Sequence, residues 1–180
     1  MSETPDEAVD DTEEAAPPEP PPERYGVPLT DSLGQEVLHP SREQYRGVVE
    51  ALCEDGYITC IDVTAVDYVA HPHRPTAPGV APERFEVVAQ FLDLEQRRRV
   101  RLRVQVPADD PTIASIVDVY PGADALEREV FDMFGITFDG HPDLTRILMP
   151  EDWDGHPLRK DYAVGAIPVQ FKGAGKEERS

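Results

Sequence analysis

The stretch RFEVVAQFLDLEQRRRVRLRVQV, residues 84–106, alternates with period two at both ends. Val100, Leu102, Val104 and Val106 face one way, and Arg99, Arg101, Arg103 and Gln105 the other. Such alternation marks a half-buried antiparallel strand with one wet face. Residues 84–94 read as its partner strand, rich in Phe and Val. The connection around Glu95-Gln96-Arg97 is short, so the two strands form a hairpin. A hairpin of this kind is the centre of an antiparallel sheet.

Working toward the N-terminus, residues 71–82 hold four prolines and a glycine and read as a loop. His71 and His73 there have no neighbouring carboxylate partner in sequence and read as loop residues. Residues 57–68 read as a strand whose face with Tyr57, Thr59, Ile61 and Val63 is the more apolar. Residues 41–54 read as a helix. Ser41 and Gln44 form a capping box, and Tyr45, Val48, Val49 and Leu52 fall on one face. Order is expected from about Tyr25. Residues 1–24 are acidic and proline-rich, with Glu3, Asp6, Glu7, Asp10, Asp11, Glu13, Glu14, Glu19 and Glu23 preceding the first arginine. Too little apolar surface is present to offset the entropy of ordering them, so a disordered tail is expected.

Working toward the C-terminus, Asp110-Pro111 looks like a cap and first-turn proline for a helix running to about Tyr120. A second helix is expected over residues 124–134, closed by Gly135. Leu126, Val130, Met133 and Phe134 form its apolar stripe, and Arg128 and Asp132 share the opposite face. Glu127 falls at the stripe's edge. Either it is partly desolvated and meets an arginine, Arg146 or Arg159, or it is an exposed first-turn glutamate favoured by the helix dipole. The first alternative predicts that Glu127→Gln weakens folding or assembly. Beyond Gly135 only residues 136–138 and 146–149 look like strand pieces. The expected architecture is α+β: residues 25–135 as a mainly antiparallel sheet covered by helices, and residues 136–180 as a long extended C-terminal arm packing on a partner subunit.

Composition narrows the chemistry. A net charge of −19 over 180 residues opposes nucleic-acid binding, so the arginine row of residues 97–103 reads as a solvated strand face or a contact for an acidic protein. No apolar run approaches the about 20 residues of a membrane span, and no signal-peptide pattern opens the chain. Cys53 and Cys60 are too few for a cluster or structural zinc site. His141, Asp143 and His156, with Glu151, fit no compact metal spacing, and both histidines stand in Gly-His-Pro turns. No nucleophile with its base, phosphate loop or dinucleotide fingerprint is present. No catalytic, cofactor or metal site is therefore expected in this chain.

The run EREVFDMFGITFDGHPDLTRILMPEDWDGHPLRKDY, residues 127–162, resembles the 30-kDa-type subunit family of NADH–quinone oxidoreductase, respiratory complex I. Its opening ERE block, its GHPDL and RIL core and its closing GHPLRKDY carry the likeness, with DVYPGAD before them. Ala163 follows where the family commonly has proline. The resemblance implies a cofactor-free, peripheral subunit on the cytoplasmic side of the cell membrane, packed against the quinone-site subunit and other peripheral-arm subunits. FMN, iron–sulfur clusters and quinone would belong to the whole complex, which couples NADH oxidation to proton translocation. A homologous subunit of an energy-converting hydrogenase or of another complex I relative is the alternative. The residues expected to serve as interface or structural contacts are Glu127, Arg128, Glu129, Asp132, Gly135, His141, Asp143, Arg146, Trp153, His156, Arg159, Lys160, Asp161 and Tyr162.

Overall fold

A computed structural model describes residues 22–163. The expected tail over 1–21 and the end of the arm, 164–180, lie outside the described residues.

The hairpin is built as its alternation requires. Strands β5 (Phe85–Asp93) and β6 (Arg98–Val106) pair antiparallel along their whole length. Val100, Leu102, Val104 and Val106 are all fully buried. Each such side chain stabilises the fold by about 1.5–3 kcal/mol. Asp93 staples the turn: its carboxylate accepts from Gln96 N–H at 3.0 Å and from Arg98 Nη2 at 2.7 Å.

Around the hairpin the sheet grows to six strands. Strands β1 (Glu23–Arg24), β2 (Val27–Ser32) and β3 (Gln35–Leu38) form an N-terminal meander. Strand β4 (Thr59–Asp67) closes the far edge, giving the order β1-β2-β3-β6-β5-β4. All neighbours are antiparallel except β3 and β6, where Glu36 sits opposite Val100 and Leu38 opposite Leu102. The three N-terminal strands were not expected, and they begin two residues ahead of Tyr25. Their turns, Tyr25-Gly26 and Leu33-Gly34, place both central residues at positive φ, the arrangement that two-residue hairpins favour.

Helices α1 (Arg42–Glu54) and α2 (Asp124–Phe134) cover one face of the sheet. The capping box of α1 is present in full: Gln44 N–H donates to Ser41 Oγ, and Ser41 N–H to Gln44 Oε1 at 3.0 Å. Tyr45, Val48, Val49 and Leu52 of α1 meet Val130, Met133 and Phe134 of α2 in the common core.

Two local expectations are overturned. The helix expected over 110–120 is a short strand, β7 (Thr112–Ala114), followed by turns and a 3-10 turn at Pro121–Ala123. β7 pairs in parallel with β8 (Thr137–Asp139). The segment is crowded with Thr112, Ile113, Ile116, Val117 and Val119, β-branched residues that lose side-chain freedom in a helix. Pairing with β8 then decides the matter, since Thr137 N–H reaches Pro111 O and Ser115 N–H reaches Asp139 O, both at 2.8 Å. The folded body consequently continues past Gly135 to Asp139. In β4 a bulge between Cys60 and Asp62 shifts the register. Val63 is buried as expected, but Ile61 is exposed and Thr59 only half-buried, because the extra residue reverses the alternation before it.

Candidate functional site: a clasp for the C-terminal arm

Helix α2 carries two carboxylates with no exposed surface, Glu127 and Asp132. A buried carboxylate needs partners, and each has its own set. Glu127 serves the segment behind β7. Its Oε2 accepts from the Ser115 hydroxyl at 2.6 Å and its Oε1 from Ile116 N–H at 2.8 Å. Among the described residues no arginine reaches it, so neither the arginine partner nor the exposed dipole residue expected from the sequence is what forms. Burial pushes the Glu127 carboxyl above its ordinary range, and the two donors only partly oppose this.

Asp132 is the carboxylate that holds the arm. Its Oδ1 accepts from Arg146 Nη1 at 2.6 Å. Its Oδ2 accepts from three successive backbone N–H groups, Ile147 at 3.1 Å and Leu148 and Met149 at 2.8 Å. This explains why residues 146–149 are not the strand piece expected: their amides converge on one oxygen. Burial pushes the Asp132 carboxyl up, but the amides of Met149 and Leu148, Arg146 and the Ile147 amide outweigh it and hold it below the usual carboxylate range. The expected Arg128–Asp132 pair is absent. Arg128 instead reaches Thr145, through its carbonyl at 3.1 Å and hydroxyl at 3.0 Å, while Arg146 Nη2 bonds the carbonyls of Trp153 and Gly155 at 3.1 Å.

The end of α2 is capped by the same arm. A helix leaves its last carbonyls without partners. Here Phe131 O accepts from Gly135 N–H, Asp132 O from His156 Nδ1 at 2.9 Å, Met133 O from Leu158 N–H at 3.1 Å and Phe134 O from Arg159 Nε at 2.6 Å. A carbonyl can only accept, so His156 carries its hydrogen on Nδ1. Gly135 turns the chain at φ +70°, and a Cβ there would lie 2.5 Å from His156 Nε2 and 2.6 Å from Arg159 Nη2. The glycine is required both by conformation and by space. Arg159 also sits 5.2 Å from the Phe85 ring centroid, with its positive charge at the negative end of the helix.

Another buried carboxylate, Asp67 at the end of β4, fixes the close of the run. Arg84 meets it through Nε at 3.0 Å and Nη2 at 2.9 Å, and Lys160 N–H donates to it at 2.9 Å. Arg84 Nη2 also bonds Asp161 at 2.7 Å. Burial raises the Asp67 carboxyl, but Arg84 and the amides of Lys160 and Val69 bring it below the usual range. Tyr162 folds over Gly155, where a Cβ would meet its ring at 2.8 Å.

Most of the run's expected contact residues thus gather in one place, around the end of α2. Glu129, Asp143 and the Lys160 side chain lie exposed beside it. His141 is a turn residue: Nδ1 accepts from Asp143 N–H at 3.1 Å, and Nε2 faces Asp124 O at 3.4 Å. Asp67, Arg84 and Ser115 were missed. An Asp and an Arg flanking the proline-rich loop at facing strand ends were the available signal for the first two; nothing in the sequence marked Ser115. Among the described residues no three His, Cys, Asp or Glu side chains converge to hold a metal ion. No described helix is long and apolar enough to cross a membrane.

Fold and clasp together define an α+β domain whose C-terminal arm is fixed against the end of α2. Residues 38–167 match the family described as respiratory-chain NADH dehydrogenase, 30 Kd subunit. The chain belongs to this family. It is 46% identical over 149 residues to an NADH-quinone oxidoreductase subunit from Saccharopolyspora erythraea, covering 81% of this chain and 56% of that protein. With the corresponding NADH-quinone oxidoreductase subunit from Salinispora arenicola the identity is 41% over 175 residues, 94% of this chain and 65% of the relative. The chain thus spans between half and two thirds of the length of these relatives. Among solved structures, the trypsin-resistant fragment (1-134) of Nqo5 superposes with a TM-score of 0.58 at 34% identity, over 66% of this chain and 90% of the fragment. A chain of an archaeal membrane-bound sulfane sulfur reductase shares the fold, with a TM-score of 0.65 at 18% identity over 87% of this chain and 91% of that one.

Proposed function

We propose that this chain is a non-catalytic, cofactor-free peripheral subunit of a proton-translocating NADH:quinone oxidoreductase, bound on the cytoplasmic side of the cell membrane. In this reading FMN, iron–sulfur clusters and quinone are held by other subunits, and electrons from NADH do not pass through this chain. Its task is to present the clasped arm to the quinone-site subunit. One observation carries the reading: the arm is fixed by buried carboxylates on its inner side while Ile147, Leu148 and Leu158 are 40%, 57% and 45% exposed on it. Large apolar side chains held in a rigid, exposed array fit a protein contact. The sequence identities with NADH-quinone oxidoreductase subunits support this assembly over the alternative of a hydrogenase or another relative of complex I.

The test is co-purification. Tagged full-length chain, recovered from membranes, is expected to bring down the quinone-site subunit. Leu148→Asp with Leu158→Asp is expected to leave the chain folded by circular dichroism and to abolish that recovery. Recovery of the same partners by the double variant sinks the reading. So does NADH oxidation or a visible chromophore in the pure chain.

A further inference from the structure

The face of the sheet turned away from the helices carries the arginines that alternate with the core residues of β6. Its two ends differ. At one end the chain covers the face itself. Arg103 donates to the buried Glu86 at 2.7 Å, and Gln105 donates to the same carboxylate at 2.5 Å. Arg74, in the loop after β4, stacks on the Tyr68 ring at 3.6 Å and donates to Gln105 at 2.6 Å. There the cations have an acid beside them and a loop above them.

At the other end the described residues supply neither. Arg99 stands opposite the half-buried Leu92, and Arg101 beside the buried Val37, so the cations rise from a partly apolar floor. Among the described residues Arg97, Arg99 and Arg101 meet no carboxylate. Arg97 and Arg99 are exposed. Arg101 reaches only the neutral Gln35, at 2.9 Å, and its buried Nε has no acceptor. Asp62, on the same face, stands two strands away opposite Gln90. Leu33 and Leu94, both exposed, flank this end. Large apolar groups beside unpaired arginines fit a protein partner better than water.

Charge selects the occupant. The chain holds 36 acidic and 17 basic residues, so most of its surface repels anions. A nucleic acid or an anionic membrane spreads its charge far beyond three arginines and would meet that acidic remainder. A protein segment can set carboxylates at the arginines alone and bring apolar side chains to Leu92 and its neighbours. Arg99 and Arg101 are alternate residues of one strand, about 7 Å apart. An extended segment presents its own alternate side chains on one face at the same interval.

We propose that the open end of this face docks an acidic, extended segment of a neighbouring protein in the assembly, with carboxylates at alternate positions set against Arg99 and Arg101. The proposal rests on the assignment of the chain to a multi-subunit assembly, but its surface is not that of the arm. The arm closes at Asp67, the end of β4 remote from Thr59, which pairs with Leu92. Single exposed ion pairs are weak, so the contact depends on two at a fixed interval and on the apolar floor between them.

Carbodiimide cross-linking of the purified assembly tests this. Arg99→Lys and Arg101→Lys, made singly in the tagged full chain, keep the charge and add an amine that couples to a carboxylate in contact. Mass spectrometry is expected to find a link from position 99 or 101 to an Asp or Glu of a different protein. Changing the linked carboxylate to its amide should abolish that link. Links only to this chain's own carboxylates, such as Asp62 or Glu95, overturn the proposal, as do links only to a second copy of the chain. A chain that brings down its partners and gives no link at either position overturns this proposal alone. A chain that brings down no other protein overturns it together with the assignment to the assembly.

Discussion

Glu127 and Asp132 stand five positions apart on one helix, both with no exposed surface, and burial has opposite outcomes at the two. Glu127 has one hydroxyl and one amide, and its carboxyl is raised. Asp132 has three amides and a guanidinium, and its carboxyl is depressed. Burial alone therefore does not set the charge of a carboxylate; the number and charge of its donors do. The functional difference follows. Near its start α2 holds a neighbouring loop through a group that tolerates protonation. At its end it holds the arm through a group that must stay ionised.

The largest effect is expected at the arm. Asp132→Asn leaves Arg146 without its counter-charge in a site where Arg146 is only 15% exposed, and should cost about 3–5 kcal/mol in denaturant unfolding. A smaller loss at Asp132 than at Glu127 would break the comparison. The second expectation concerns acid. Asp132 and Asp67 have depressed pKa values when folded, so their contribution is complete above the unfolded value of about 3.9 and is lost as pH falls through the folded pKa. Glu127 has the opposite sign: its contribution is complete below the unfolded value of about 4.3 and declines as pH rises through the folded pKa. In an acid titration the fluorescence of Trp153, the single tryptophan, should change before the far-ultraviolet signal of the sheet. Coincident transitions would show that the arm and the sheet do not separate.

Third, Gly135→Ala forces a side chain into the left-handed region and against His156 and Arg159, and should lower stability by at least about 1–2 kcal/mol. Ser115→Ala removes one of the two donors of Glu127, should cost about 1 kcal/mol and should raise the Glu127 pKa further, seen by carbon NMR of its carboxyl. The smallest effect belongs to Glu127→Gln. The amide can accept from Ile116 and donate to Ser115, and the change should stay within about 1 kcal/mol at neutral pH.

The comparison also marks what the sequence could and could not tell. The β5–β6 hairpin and α1 were legible because period-two alternation and a capping box are local signals. The interval 110–120 was misread because its Asp-Pro cap is local, while the pairing of β7 with β8 that overrides it is not. The N-terminal strands were missed for the same reason: β3 is short and is held by a distant strand. At α2 the apolar stripe was placed correctly, yet Glu127 and Asp132 exchanged roles. A helical projection assigns faces, and the face taken as wet is the one the chain's own arm covers.

The parallel pairing of β3 with β6 bears on how the chain is made. β1, β2 and β3 leave the ribosome before β6, so Glu36 has Asp31 of β2 on one side and no strand on its other side until Val100 has emerged. The meander must wait, with its apolar Val27 and Leu38 uncovered, while the hairpin forms behind it. A contact so distant along the chain is slow to close, and the waiting strands are an exposed edge. The growing chain is thus most open to misassociation in the interval between synthesis of Leu38 and docking of β6, when a chaperone would have its longest access.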